Sequence, residues 1–565
     1  MNSTASRKRS RSSGTSTFPL TPKFPSRVWN LLRRKDVLVR LGLCLAAVTA
    51  TWAATQAWRP PFPYHEGYVP PRNITARVGF NIPDPKEFGM ETKKFIRIEP
   101  GEAIGKAGQP LAIETLDVLL AEQQAYIDEL QHAPRRIVER SLAVFAMILG
   151  IYALCGYYIY GHDRRIIADL RRYATLLVVT VMIVMVGRAT SADPWRAELI
   201  PLLLFAMTIG IAYGRAMAMV LSLAVALILT VTAGGGLAEL LLLLGVIAST
   251  VVQLGRIRGR RKLIKVGFYA SLVAPFLTIG IGMLYGQPLA VPLLEQAAYQ
   301  ALWAFLAGFL TTGLLPFIES FFGALTEISL LELGDVAHPL LQELVRRAPG
   351  TYNHSINVAS IAEAAAESVG GRGLLVRVGA YFHDIGKMLK PHYFVENQGS
   401  EASRHDSLVP AMSTLIIIAH IKDGADLARQ HHLPEPIIDL IEQHHGTTLV
   451  EYFYRRANEQ SEANPDLGHV EESSFRYPGP KPQTIEAAVL MLADAVESAS
   501  RVLVEPTPAR IESLVEDIAM KKLLDGQFDE CSLTLKQLRT IEDSLIKSLT
   551  AVYHGRVKYP DQRTA

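Results

Sequence analysis

Cysteine is nearly missing. Three of 565 residues, Cys44, Cys155 and Cys531, stand far apart with no paired spacing, which excludes a disulfide scaffold and a thiolate zinc cluster. Charge is scarce too: 20% Asp, Glu, Lys and Arg against 49% hydrophobic residues, where a soluble protein carries about 25% charged residues. The apolar residues gather in uninterrupted runs, so a wholly soluble protein is excluded as well. No run has a charged residue near its middle, which argues against a proton or ion pathway and for an anchoring bundle that also relays a signal. Acids are absent from residues 1–35, which hold nine Lys or Arg. The net charge of +3 says little beside that uneven distribution.

Residues 1–40 read as a basic, disordered cytoplasmic arm, a composition shared with targeting peptides. Leu41 to Trp58 is uncharged and just long enough to cross a bilayer, so it reads as an uncleaved anchor, cytoplasmic side first. Residues 59–140 then turn polar and proline-bearing, as a separate extracytoplasmic, sensor-like domain would. Seven more spans fall near 141–160, 173–191, 197–214, 216–233, 236–255, 266–286 and 296–318, making a bundle over 141–318. Of the eight, the third, fourth and sixth have uncharged stretches well short of the roughly 20 residues a membrane helix needs. Tilt, or snorkelling by Arg188, Glu198 and Glu239 at their edges, makes up the length. With eight spans the inner loops carry Arg164, Arg165, Arg171 and Arg172, then Arg215, then Arg256, Arg258, Arg260, Arg261, Lys262 and Lys265. The outer loops carry only Arg188 and Arg196. That asymmetry is the positive-inside pattern of a multi-pass bacterial plasma-membrane protein, and it puts residues 319–565 in the cytoplasm.

Residues 319–565 hold twelve of the fifteen histidines, where an even spread would give about seven. Histidine beside aspartate suggests a metal site. In Tyr381 to Lys387 the pair His383-Asp384 lies on a helical pattern that Pro391 ends. Neighbours on a helix diverge by about 100°, so the pair suits two ions, with the carboxylate bridging both. Upstream, His354 falls in the first turn of a helix with Thr351 as its expected N-cap and Gly370-Gly371 as its stop. Downstream, His420 is expected at the end of an apolar helix over 414–419, and His444-His445-Gly446 closes another begun near Pro434. Asp494 is a carboxylate inside an apolar helical run, where an unpartnered charge is costly. Each residue alone reads as a capping or core residue or a structural ion pair. Together they make seven ligand-capable groups, enough for two ions with positions open to water.

The order His354, His383-Asp384, His420, His444-His445, Asp494 resembles the HD-domain phosphohydrolase superfamily. The surrounding text is similar to one branch, the seven-transmembrane HD proteins, which are membrane-bound cyclic-di-AMP phosphodiesterases. The matching stretches are LELGDVAHPLLQELVRRAPGTYNHS (331–355), GAYFHDIGKMLKPHYFVENQ (379–398), HIKDG (420–424), HHGTTLVEYFYRRA (444–457), FRYPGPKPQTIEAAVLMLADAVESASR (475–501) and DGQFDECSLTLKQL (525–538). The resemblance implies an all-α fold: a multi-span transmembrane helical bundle, then an all-helical cytoplasmic HD domain, with a small extracytoplasmic domain after the first span. It implies one metal held by His354, His383, Asp384 and Asp494 and another by Asp384, His420, His444 and His445. Such imidazole-rich ligation favours Mn2+ or Fe2+ over Mg2+. It further implies hydrolysis of cyclic di-AMP to the linear dinucleotide pApA, with Asp384 catalytic. Lys387, one turn after His383, is the candidate contact to a phosphate oxygen, the alternative being a surface lysine.

Three departures stand out. His338 occupies a place where the family usually has Asn, Ser403-Arg404-His405 replaces Asn-Pro-His, and the acidic insert Asn458 to Ser474 reads as a solvated loop. The expected partners are a cyclic dinucleotide, the lipid bilayer and an unknown extracytoplasmic ligand. A homodimer is compatible with the sequence, and no DNA or RNA polymer is expected. The rival substrates are cyclic di-GMP, deoxynucleotides and guanosine tetraphosphate. A glycine after His444-His445 in place of an acid, and the lack of a Gly-Tyr-Pro triplet, count against the first. A catalytically silent nucleotide-sensing receptor is the rival of another class, and seven retained ligands count against it.

Overall fold

The computed structural model describes residues 34–56, 58–70, 72–83, 95–191, 196–255, 259–398, 403–464 and 469–554. Most of the basic arm, with Arg256 and Arg258, lies outside them. The chain divides into two compact units, Met1–Leu254 with Ile264–Leu314, and Gly255–Leu263 with Leu315–Ala565.

In the first unit, helices stand at all eight expected spans. Six are long and apolar enough to cross a membrane: Lys35–Ala54, Pro134–His162, Leu170–Thr190, Arg215–Ala233, Arg260–Leu284 and Val291–Phe322. Leu199–Tyr213 and Leu237–Gln253 are shorter, at 15 and 17 residues. The third span, short in uncharged residues, runs 21 residues with Arg188 in the last turn of its helix. The first helix begins inside the stretch expected to be disordered arm, with Arg40 donating to the carbonyls of Ile167 (2.6 Å) and Ala168 (2.7 Å).

Length alone does not sort these helices. Leu199–Tyr213 is enclosed by its neighbours, with Leu202, Phe205, Met207 and Ile209 all buried. The longer helices instead leave large apolar side chains outward, among them Leu154, Tyr157 and Phe276. Water would disfavour such a surface and a bilayer would cover it. Helices Arg260–Leu284 and Val291–Phe322 cross closely at two glycines, since a Cβ on Gly267 would come within 2.7 Å of Gly308 Cα.

The polar module between the first two spans adds a little sheet to this helical unit. Strand Ile74–Thr75 pairs antiparallel with Ala103–Gly105, and Phe80–Pro83 with Phe95–Ile98. They accompany helix Ile113–Gln131, whose buried Glu122 takes Arg77 Nε (2.9 Å) and Nη2 (2.6 Å).

The second unit is all-helical. Its centre is helix Ile485–Ser500, with every residue from Ala487 to Asp494 buried. Helices Pro349–Ser368, Gly373–Phe382, Glu435–Gln443 and Pro508–Leu524 add their apolar faces to the same core. His338 caps helix Pro339–Arg347, its Nδ1 accepting the Leu340 N–H at 3.3 Å. A side chain at this position needs only an acceptor to cap, which is what an Asn there would also supply. Helix Glu451–Ala463 reaches into the acidic insert, against the expected loop, and residues 465–468 of the insert lie outside the described residues.

Candidate metal centre

The seven candidate ligands come together, and the local backbone explains how. Pro349, not Thr351, sets the start of the His354 helix: it occupies N1, where no N–H is missed. Thr351 lies a turn further in and donates to Glu396 Oε1 at 3.1 Å. Helix Gly373–Phe382 then stops at His383, and the chain tightens into a 3-10 turn over Ile385–Leu389. The expected continuous helix is therefore broken at the His-Asp pair. The divergence of neighbouring helical side chains no longer applies, and His383 Nε2 lies 3.2 Å from Asp384 Oδ2.

Gly386 makes the break possible. A Cβ there would overlap the His420 carbonyl, so only glycine lets the turn lie flat on the next helix. That helix, Pro410–Gln430, carries His420 at its middle rather than its end. His444 caps helix Glu435–Gln443 and Gly446 follows in the left-handed region at φ +54°, as the sequence suggested. Asp494 projects from the central helix.

Hydrogen bonds fix the imidazoles. His383, His420 and His444 each donate Nδ1–H to the carbonyl three residues back, Ala380 (2.7 Å), Ile417 (2.5 Å) and Ile441 (2.7 Å). Those bonds assign the tautomer and turn each Nε2 lone pair inward. His354 reaches the same end differently, with Nδ1 on Glu497 Oε2 at 2.6 Å and Nε2 on Asp494 Oδ1 at 2.9 Å. Asp384 sits between two groups. Its Oδ2 faces His383 (3.2 Å) and His354 (3.6 Å), and its Oδ1 faces His420 (3.4 Å) and His444 (3.7 Å). His445 places Nδ1 3.6 Å from Asp494 Oδ2 and its side chain is 21% exposed, where His383 and His444 are sealed. Three overlapping triads, His354-His383-Asp384, His383-His444-Asp494 and His420-His444-His445, each bring their ligand atoms within 4.8 Å of one another.

Charge is concentrated here with little water to screen it. Burial would raise the Asp384 carboxyl, but His383 and Lys387 hold it well below the usual range. Burial likewise works against Asp494, which the hydrogen bond from His354 and the nearby His383 hold well below the usual carboxylate range. Burial, reinforced by His383, pushes His444 down to about 3, and burial with His444 beside it keeps His445 neutral. Lys387 is no surface lysine. Its side chain is 13% exposed, with Nζ 2.7 Å from Asp384 Oδ2 and 2.9 Å from Glu396 Oε1. Despite burial, those two carboxylates raise its pKa, so it stays an ammonium ion.

Four contributors had no assigned role in the sequence. Glu497 lies one turn after Asp494 on the same helix, a spacing that could have flagged it. Glu396 joins Lys387 to Thr351. Tyr477 lies against His445, ring centroids 4.4 Å apart, and with Phe394 beside His420 it walls the cluster with aromatic surface. His405 stays apart, donating Nε2–H to the Tyr393 carbonyl at 2.8 Å.

Comparison with known proteins adds to this geometry. Residues 139–326 match the family described as 7TM receptor with intracellular HD hydrolase, and residues 351–499 match the HD domain. The cyclic-di-AMP phosphodiesterase PgpH of Listeria monocytogenes serotype 1/2a (strain 10403S) is 43% identical over 336 residues, 59% of this chain and 45% of that protein. PgpH of Bacillus subtilis (strain 168) is 43% identical over 316 residues, 55% of this chain and 43% of that protein. The chain thus matches less than half the length of these curated relatives. The crystal structure of the L. monocytogenes PgpH HD domain in complex with cyclic-di-AMP shares 49% identity, covering 39% of this chain and all of that one, at a TM-score of 0.37.

Proposed function

We propose that the chain belongs to the seven-transmembrane HD family and is a metal-dependent phosphodiesterase that hydrolyses cyclic di-AMP to pApA. The observation that carries the reading is Asp384, buried, with its two oxygens turned to opposite pairs of histidines. Asp384 Oδ1 and His383 Nε2 are sealed from solvent without a hydrogen-bond partner, while Oδ2 has the Lys387 ammonium at 2.7 Å, and bound cations would relieve the cost that is left. The donor set fits a pair of divalent transition-metal ions, Mn2+ or Fe2+. His354, His383, Asp384 and Asp494 would hold one, and Asp384, His420, His444 and His445 the other. Such a pair supplies a nucleophile from water at neutral pH and stabilises charge on the phosphoryl group and the departing sugar oxygen.

The protein's own groups do the rest. Asp384 and Lys387 converge on the same space, and two of the three ammonium donors of Lys387 are committed to carboxylates, leaving the third for a phosphate oxygen. The walls of Tyr477 and Phe394 keep bulk water from weakening these charges. Hydrolysis adds one water, breaks one bond between phosphorus and a sugar oxygen, and leaves a 5′-phosphate on the opened ring. The distribution of Lys and Arg supports a cytoplasmic HD domain over 319–565 and an outer location for residues 59–140.

The full chain in nanodiscs with Mn2+ is expected to convert cyclic di-AMP to pApA and to leave cyclic di-GMP largely intact. Tight nucleotide binding without turnover by metal-loaded protein would instead identify a silent receptor. A second expectation concerns Glu497, which orients His354 and is itself clamped by Arg501 at 2.7 and 2.8 Å. Glu497→Gln is expected to weaken metal binding roughly 10–100-fold, as loss of such an orienting partner does elsewhere. Chelator competition measures this, and an affinity within twofold of the parent protein would show that Glu497 serves only packing.

A further inference from the structure

A cavity of about 320 Å3 lies within the membrane unit, where the chain segment Phe62 to His65 runs over the ends of helices Leu170–Thr190, Arg215–Ala233 and Leu237–Gln253. A second cavity of about 150 Å3 shares His65, Arg196 and Glu239 with it. The larger volume is at the low end of the range for small-molecule pockets, about 300–1,000 Å3. Its lid is held down closely: Gly234, in the left-handed region at φ +78°, has no room for a Cβ beside Pro61.

Two of the lining residues are Arg188 and Arg196. They are also the only basic residues in the outer loops between the second and eighth spans, the exceptions to an otherwise regular charge distribution. Chance exceptions have no reason to meet in one cavity. Arg188 Nε is sealed from solvent with no hydrogen-bond partner, and neither guanidinium makes an ion pair among the described residues. An arginine at a membrane edge normally sends its head group to water. It cannot shed its proton in place of finding an anion. Two carboxylates, Glu198 and Glu239, line the same cavity, but neither forms an ion pair with Arg188 or Arg196 among the described residues, and Glu239 Oε2 accepts the Gly236 N–H at 2.8 Å as a helix cap. Arg196 is held at φ +37°, a conformation that a residue with a side chain rarely adopts and that concentrates at ligand sites.

We propose that Arg188 and Arg196 form the recognition wall of a binding site for a small molecule bearing a carboxylate or phosphate group, at the end of the membrane bundle that carries the 59–140 module. The guanidinium fork pairs with either oxyanion through two parallel hydrogen bonds. The reading is independent of the HD chemistry, and its test does not use turnover.

The full chain in phosphatidylcholine nanodiscs is treated with phenylglyoxal, and labelling of each arginine is followed by mass spectrometry. Succinate, inorganic phosphate and chloride are compared at equal ionic strength. Succinate or phosphate is expected to slow labelling of Arg188 and Arg196 at least threefold over chloride, saturably, while the exposed Arg135 is unaffected. Protection by succinate points to a carboxylate ligand, and protection by phosphate to a phosphorylated one. Protection by the lipid alone, lost in delipidated detergent-solubilised protein, places a lipid phosphate in the site. Labelling of both arginines at the chloride rate in every condition overturns the proposal. As a second measurement, the protecting anion is expected to raise the melting temperature of the parent protein but not of Arg196→Gln. An equal shift in the variant would also overturn it.

Discussion

Asp384→Ala is expected to reduce metal-dependent hydrolysis by at least about a thousandfold, because the two oxygens of this carboxylate face opposite pairs of histidines and several kcal/mol of transition-state stabilisation pass through the ions it would share. The same change should lower the bound metal from two ions per chain to one or none, which elemental analysis reads directly. A folding defect would not produce that pattern, but it needs separating. The alanine leaves Lys387 with Glu396 as its remaining ion-pair partner and removes the counter-charge beside four imidazoles. Asp384→Asn keeps the shape and hydrogen-bonding capacity of the side chain while removing its charge. It should melt close to the parent protein and still lose turnover. Parent-like turnover with two bound ions in either variant would exclude the assignment of Asp384.

Which parts of this site could be read from residues alone follows from how local their causes are. Asp494 was legible because a carboxylate within an apolar helix calls for a partner whatever surrounds it. The closing of the His444-His445 helix was legible because Gly446 adopts a backbone that favours glycine. The break at His383-Asp384 was not. Residues 376–389 keep helical apolar spacing through it, and its cause lies in another helix, where the His420 carbonyl leaves no room for a side chain at residue 386. The same contact misplaced His420. Gly424 lies inside helix Pro410–Gln430 facing Gly386, where a Cβ would come within 3.2 Å of the Gly386 nitrogen. Both glycines answer to packing between elements, which a single-chain pattern does not record. Thr351 failed as a cap for a related reason, since its hydroxyl is taken by Glu396, 45 residues away.

In the membrane unit the eight apolar runs were legible, because a run of that length has one economical place to be. Their ends were less so, since the first helix begins at Lys35, inside the stretch that reads as basic arm.

Stripping the metal is expected to abolish turnover completely, with Mn2+ restoring it, and to make the stability of the chain depend on alkaline pH. The sign follows from His383. Burial alone would lower its pKa, but the Asp384 and Asp494 carboxylates push it up to about 10, from about 6.5 in an unfolded chain. A raised pKa contributes stability that is fully present below 6.5 and is lost as pH rises through 10. The depressed carboxyls of Asp384 and Asp494 act in the other direction, contributing above the ordinary carboxylate range and failing only in acid. The stripped protein should therefore melt at its highest temperature near pH 6.5, because the depressed imidazoles of His444 and His445 lose their contribution below it and the raised His383 loses its own progressively from pH 7 to 10. With metal bound, His383 Nε2 has no proton to lose, so the melting temperature should stay level from pH 7 to 9. For the same reason metal uptake should release a proton, and this one group should strengthen apparent affinity roughly tenfold per pH unit below 10. Calorimetry of Mn2+ binding in buffers of different ionisation enthalpy counts that proton. A stripped protein with a level melting curve across pH 7–10, together with uptake that releases no proton, would mean that His383 does not hold its proton against these carboxylates.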